Sequence, residues 1–77
     1  MNFPELDRIT IDPDVMGGKP CIRGMRATAG TVTGLVASGV SFHEILELYP
    51  YLKEEDIRAA LSSAAWRTEE FEMTLAA

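Results

Sequence analysis

Ala37-Ser38-Gly39-Val40-Ser41 is the stretch on which the fold of this 77-residue chain turns. Upstream of it Val32, Leu35, Val36 and Val40 recur at helical spacing, and Gly39 stands where a helix favours a left-handed residue at its C-terminal end. The pattern predicts a first helix over Gly30 to Ser38. Downstream, Ser41-Phe42-His43-Glu44 has the form of a capping box, in which the serine hydroxyl accepts from the third helical amide and the glutamate reaches back to the serine amide. Val40 and Ile45 flank it as a hydrophobic staple. A second helix with Ile45, Leu46, Leu48 and Tyr49 on its apolar face follows. Pro50 ends it, because a residue before proline is pushed out of the helical region. Two short helices joined through such a glycine turn are what a helix-turn-helix requires, although a plain helical hairpin in a small bundle has the same pattern.

Beyond Pro50, Leu52 and Ile57 are spaced as a second staple, and Glu54, Glu55 and Asp56 put negative charge on the first turn of a third helix, where the helix dipole favours it. Lys53 is a poor cap. Ile57, Ala60, Leu61 and Ala64 line one face, and the period continues through Thr68, Phe71 and Leu75, carrying the helix into the 70s. Toward the N-terminus, Arg8-Ile-Thr-Ile-Asp12 alternates polar and apolar residues as a half-buried strand does, with Ile9 and Ile11 facing inward. Pro13-Asp14 and Gly17-Gly18-Lys19-Pro20 are turn chemistry. Cys21 to Arg23 reads as a second short strand broken by Gly24, and Arg26 to Thr28 as a third extended segment. The interval between strands exceeds a two-residue hairpin, so a looped hairpin and pairing with another chain both stay open. The resulting expectation is a mainly α fold: a short N-terminal β segment with turns over 1–28, a three-helix helix-turn-helix core over 29–67 and a C-terminal helical tail over 68–77.

A chain this short closes one core and leaves no room for a deep catalytic cleft, and a dimer or partner protein is a natural complement to it. The hydrophobic share of 47% with 25% charged residues argues against a wholly disordered chain. Cys21 is the sole cysteine, which excludes an internal disulfide and a C-x-x-C motif. Residues 1–11 have no apolar run of signal-peptide type, and nothing later approaches a membrane span, so a cytoplasmic protein is expected. The net charge of −5 is unevenly placed, since residues 1–30 are balanced and residues 41–77 carry all of the excess. An acidic half repels nucleic acid and attracts basic protein surfaces.

Phosphate contacts are therefore expected from Lys19, Arg23 and Arg26, beside glycines that permit close backbone approach. Helix three starts with three acids, and helix two offers only His43 and Glu44. A solvated basic surface is the plainer reading of the same three residues. Catalytic chemistry has little to build on. His43 reads as an exposed helix residue, Asp12 and Asp14 as turn formers, and Cys21 as a small core residue. Gly17-Gly18-Lys19 lacks the frame of a phosphate loop. We therefore expect no enzyme, no cofactor, no metal and no small-molecule substrate. Trp66, Phe71, Met73 and Leu75 are large apolar groups interleaved with Glu69, Glu70 and Glu72. They either close the chain's own core or form an acidic amphipathic helix that packs on a partner. The second is favoured because the core looks complete by Ala65.

The run Arg8-Ile-Thr-Ile-Asp-Pro-Asp-Val-Met-Gly-Gly-Lys-Pro-Cys-Ile-Arg-Gly24, with Ala37-Ser38-Gly39, Tyr49-Pro50 and Glu55-Asp56-Ile57-Arg58-Ala59-Ala60-Leu61, resembles the domain-of-unknown-function family 433. The resemblance implies a homeodomain-like helix-turn-helix core. It also implies a protein similar to antitoxins encoded beside a PIN-like nuclease toxin, which silence the toxin and repress their own operon by binding DNA as a dimer or as the complex. The alternative is a dimeric protein-interaction module without DNA binding. The chain departs from the family's usual pattern at Met25, Arg26 and Ala27, at Gly30, where a Ser or Thr cap is usual, and at Lys53-Glu54, where Thr-Pro is common.

Overall fold

The computed structural model describes the backbone of residues 5–76 and the side chains of residues 5–68. Its centre is the turn after the first helix, α1 (Ala29–Ala37). Gly39 has φ +92°, and its amide donates to the Val36 carbonyl at 3.0 Å while the Val40 amide donates to Leu35 at 3.1 Å. This paired closure satisfies carbonyls that the helix end would otherwise leave open. The chain then enters α2 (Phe42–Leu48) through the capping box, with Glu44 N to Ser41 Oγ at 3.1 Å and Ser41 N to Glu44 Oε1 at 3.2 Å. The third helix, α3, runs unbroken over Glu54–Ala76, so residues 68–76 continue it rather than forming a separate element.

Helix α1 starts one residue earlier than its apolar period suggests. Thr28 is the cap, its hydroxyl accepting from the Thr31 amide at 3.2 Å, which supplies the threonine that Gly30 cannot. At α3 the missing cap is also made good, because the Asp56 carboxylate reaches back to the Lys53 amide at 2.9 Å.

The N-terminal segment folds on its own chain. Strand β1 (Ile9–Thr10) pairs antiparallel with β2 (Cys21–Ile22), in the register Ile9 to Ile22 and Thr10 to Cys21. Thr28 adds an isolated bridge to Cys21, so the third extended segment is present as a single rung. Ile11, expected to face inward, is 68% exposed. In this register it would meet Pro20, which has no amide to donate, so the ladder and its alternation stop at Thr10. Arg23 and Gly24 turn the chain with φ +46° and +72°, closed by the Met25 amide on the Ile22 carbonyl at 2.8 Å. Two successive positive φ values demand a residue such as Gly24.

The core is built from Ile22 of the sheet, Ala29 and Val32 of α1, Ile45 of α2, Leu52 of the second staple, and Ile57 and Ala60 of α3. Helix α1 packs chiefly on α3, close enough for the Thr33 hydroxyl to donate to the Ala60 carbonyl at 3.1 Å. Among the described residues no helix is long and apolar enough to cross a membrane.

Candidate functional site

Asp56 is the buried polar centre of the molecule, fully removed from solvent on the first turn of α3. Arg23 grips it with two bonds, Nε to Oδ1 at 2.9 Å and Nη2 to Oδ2 at 2.8 Å. Arg8 adds Nη1 to Oδ1 at 2.9 Å, and the Lys53 amide completes the set. Burial alone pushes the carboxyl pKa up. The Arg23 guanidinium, the Lys53 amide and Arg8 outweigh it and hold Asp56 below the usual carboxylate range. The same bonds raise Arg8 and Arg23 above the ordinary guanidinium value. Arg23 reaches this position from a left-handed backbone, and its Nη2 also donates to the Tyr51 carbonyl at 3.1 Å.

The acidic turn that opens α3 is thus not a free patch of negative charge. Asp56 is buried. Glu54 pairs with Arg58 at 2.8 Å, and Glu55 with Arg58 at 3.7 Å and Arg8 at 3.9 Å. The expectation that Asp56 repels phosphate from an exposed turn is corrected by this burial. Arginines from the N-terminal segment, neutral as a whole in sequence, compensate the acidic half in space.

The three basic candidates do not form one patch. Arg23 belongs to the Asp56 cluster. Arg26 is exposed beside Tyr49 and Tyr51, and Lys19 is exposed near the N-terminal end of α1. His43 lies on the surface of α2, with Nε2 at 2.7 Å from Glu47 Oε1. Cys21 is a buried free cysteine in β2. Asp12 caps its own turn by accepting from the Asp14 amide at 2.9 Å. Among the described residues no group of three or more His, Cys, Asp or Glu could hold a metal ion.

Trp66 is 49% exposed on α3 and borders a groove of about 210 Å³ lined by the apolar Leu6, Ile9, Ile11 and Pro20 together with Ser63 and Arg67. The side chains of Phe71, Met73 and Leu75 lie outside the described residues. Reading along the sequence missed Arg8 and Asp56 as members of the buried cluster. Only the spacing of Lys53 and Asp56, three apart at a helix start, held a signal for any of them.

These elements define a small, mainly helical domain of three helices with a two-stranded N-terminal sheet. The chain belongs to the family described as protein of unknown function (DUF433), whose model matches residues 9–64. It is 42% identical over 52 residues to a protein of Sinorhizobium fredii (strain NBRC 101917 / NGR234) described as uncharacterized protein y4eO; the match covers 68% of this chain and 24% of that one. This chain therefore spans about a quarter of the length of that relative. The crystal structure of a DUF433 member from Anabaena variabilis ATCC 29413 superposes with a TM-score of 0.74 at 31% identity, covering 91% of this chain and 69% of that one.

Proposed function

We propose that this chain is an antitoxin-like protein that binds a PIN-like nuclease through the outer part of α3 and represses its own operon by binding DNA as a cytoplasmic dimer or complex. The observation that carries the reading is Trp66, a half-exposed tryptophan beside the exposed Ile11 on a largely apolar groove. A small domain gains little by leaving two such groups in water, and a partner that covers them recovers the burial. Glu69, Glu70 and Glu72 follow in the sequence and suit the basic groove of a nuclease. Membership of the family supports the same reading. The engagement of Arg23 with Asp56 favours the alternative for the DNA half, a dimeric protein-interaction module without DNA binding, because it removes one of three phosphate candidates.

The test is co-expression of the full chain with the product of the neighbouring gene. The two should co-purify, and Trp66→Ala should weaken the complex at least about tenfold, as loss of a buried aromatic anchor does. Failure of the wild-type chain to co-purify overturns the partner reading. Binding to the upstream DNA over a salt series tests the repressor half: an affinity that falls as salt rises supports it, and no binding at low salt with or without the partner leaves the protein-interaction module.

A further inference from the structure

The large apolar side chains that the described residues leave in water fall into two groups. Ile11 and Trp66 border the groove already described, whereas Met16, Leu48 and Tyr51, at 41%, 63% and 52% exposure, do not. Met16 and Tyr51 line a separate pocket of about 90 Å³, which Arg26, Val32 and Tyr49 help to enclose. Leu48 ends α2 and is joined directly to Tyr49, so an exposed aliphatic knob stands at the rim of this hole.

Two further observations mark this face. Met16 is held at φ +50°, a left-handed backbone that methionine seldom adopts, and yet its side chain is not withdrawn from water. Backbone strain of that kind clusters where a side chain is positioned for use. The charges are also matched. In a chain with 12 acidic side chains for 7 lysines and arginines, Arg26 forms no ion pair among the described residues. Glu47, one residue before Leu48, bonds to His43 at 2.7 Å and to no lysine or arginine among the described residues. The hole thus carries a cation without a carboxylate, and the knob follows a carboxylate without a lysine or arginine.

We infer that a second copy of this chain docks on this face about a two-fold axis, Leu48 of each copy filling the other's pocket and Glu47 coming to rest beside Arg26. A two-fold contact must be self-complementary, and a knob adjacent to its own hole closes a pair instead of propagating a fibre. A dry cavity of roughly 150 Å³ holds the six carbons of benzene. The smaller pocket here suits the four carbons of a leucine side chain. Two copies of net charge −5 repel, and the paired Arg26 and Glu47 place attraction where they meet. A basic partner would instead meet Arg26 as a like charge. This interface belongs to the dimer of the proposed function and rests on that part of the reading, not on the nuclease or the DNA.

The experiment is sedimentation equilibrium of the full-length chain from about 10 μM to about 1 mM, a range that covers the affinities of a small interface. A concentration-dependent dimer is expected. Leu48→Ala should weaken it about a hundredfold, because a two-fold contact loses the buried leucine twice. Arg26→Glu and Glu47→Arg should each dissociate it by setting like charges together, and the chain carrying both substitutions should recover it. Arg26, Glu47 and Leu48 are exposed, so wild-type circular dichroism of each variant verifies folding. A chain that stays monomeric at the highest concentration overturns the dimer and this interface together. A wild-type dimer that Leu48→Ala leaves intact, or that the doubly substituted chain fails to recover, overturns this interface alone.

Discussion

At the scale of single residues Asp56 carries the most weight. A carboxylate withdrawn from water survives only where its lone pairs are taken up, and here two arginines and one amide do so. Replacing it by alanine leaves Arg8 and Arg23 facing each other without a counter-charge and opens the start of α3. Asp56→Ala should lower the unfolding free energy by about 3 kcal/mol in urea titrations, the scale of breaking a buried pair. The pH dependence follows from the lowered Asp56 pKa. A depressed folded-state pKa contributes stability that is complete above the unfolded carboxyl value, about 3.9, and is lost as pH falls through the folded value. Thermal melts should therefore be insensitive to Asp56 from neutrality to about pH 4 and fall below it, with the fall reduced in Asp56→Asn. A wild-type acid profile in Asp56→Asn would contradict this assignment.

At the scale of elements, the two capped helix starts make opposite predictions. Helix α2 has a complete box, so Ser41→Ala should cost about 1 kcal/mol, read as a lower urea midpoint. Helix α3 has only the returning half, in which Asp56 accepts from the Lys53 amide. The Asp56 amide already donates to the Lys53 carbonyl at 2.9 Å, so a hydroxyl introduced by Lys53→Ser would share a satisfied donor and should stabilise the protein by no more than about 0.5 kcal/mol. The Ser41 box and the Gly39 closure join groups three to five residues apart, and such short-range bonds can be read directly from residue type and spacing. Ile11 shows where local reading stops. Its alternation with Ile9 suggested burial, but the strand partner in this register is Pro20, nine residues further along the chain.

At the scale of the whole molecule, the described core closes with Leu61, and Ala65, Trp66, Arg67 and Thr68 are exposed. Deleting residues 68–77 should therefore leave the melting temperature close to that of the full chain while abolishing co-purification with the partner. A truncated chain that no longer unfolds cooperatively would show that the outer part of α3 belongs to the core.

Residue patterns along the chain were sufficient for the fold class, the Gly39 turn, the Ser41 box and the reach of α3, because each depends on groups within about one or two helical turns. The family motif from Arg8 to Gly24 was legible for the same reason: it is contiguous. The pairing of the N-terminal strands was open between two arrangements until the tertiary structure placed Ile9 against Ile22. The charge balance was decided there too. Arg8 and Arg23 lie 48 and 33 residues from Asp56, and Lys19 and Arg67 meet at one groove from opposite ends of the chain. Nothing in their local spacing marks those encounters, since only the packing of α1 and the sheet on α3 brings the residues together and decides which cations are neutralised.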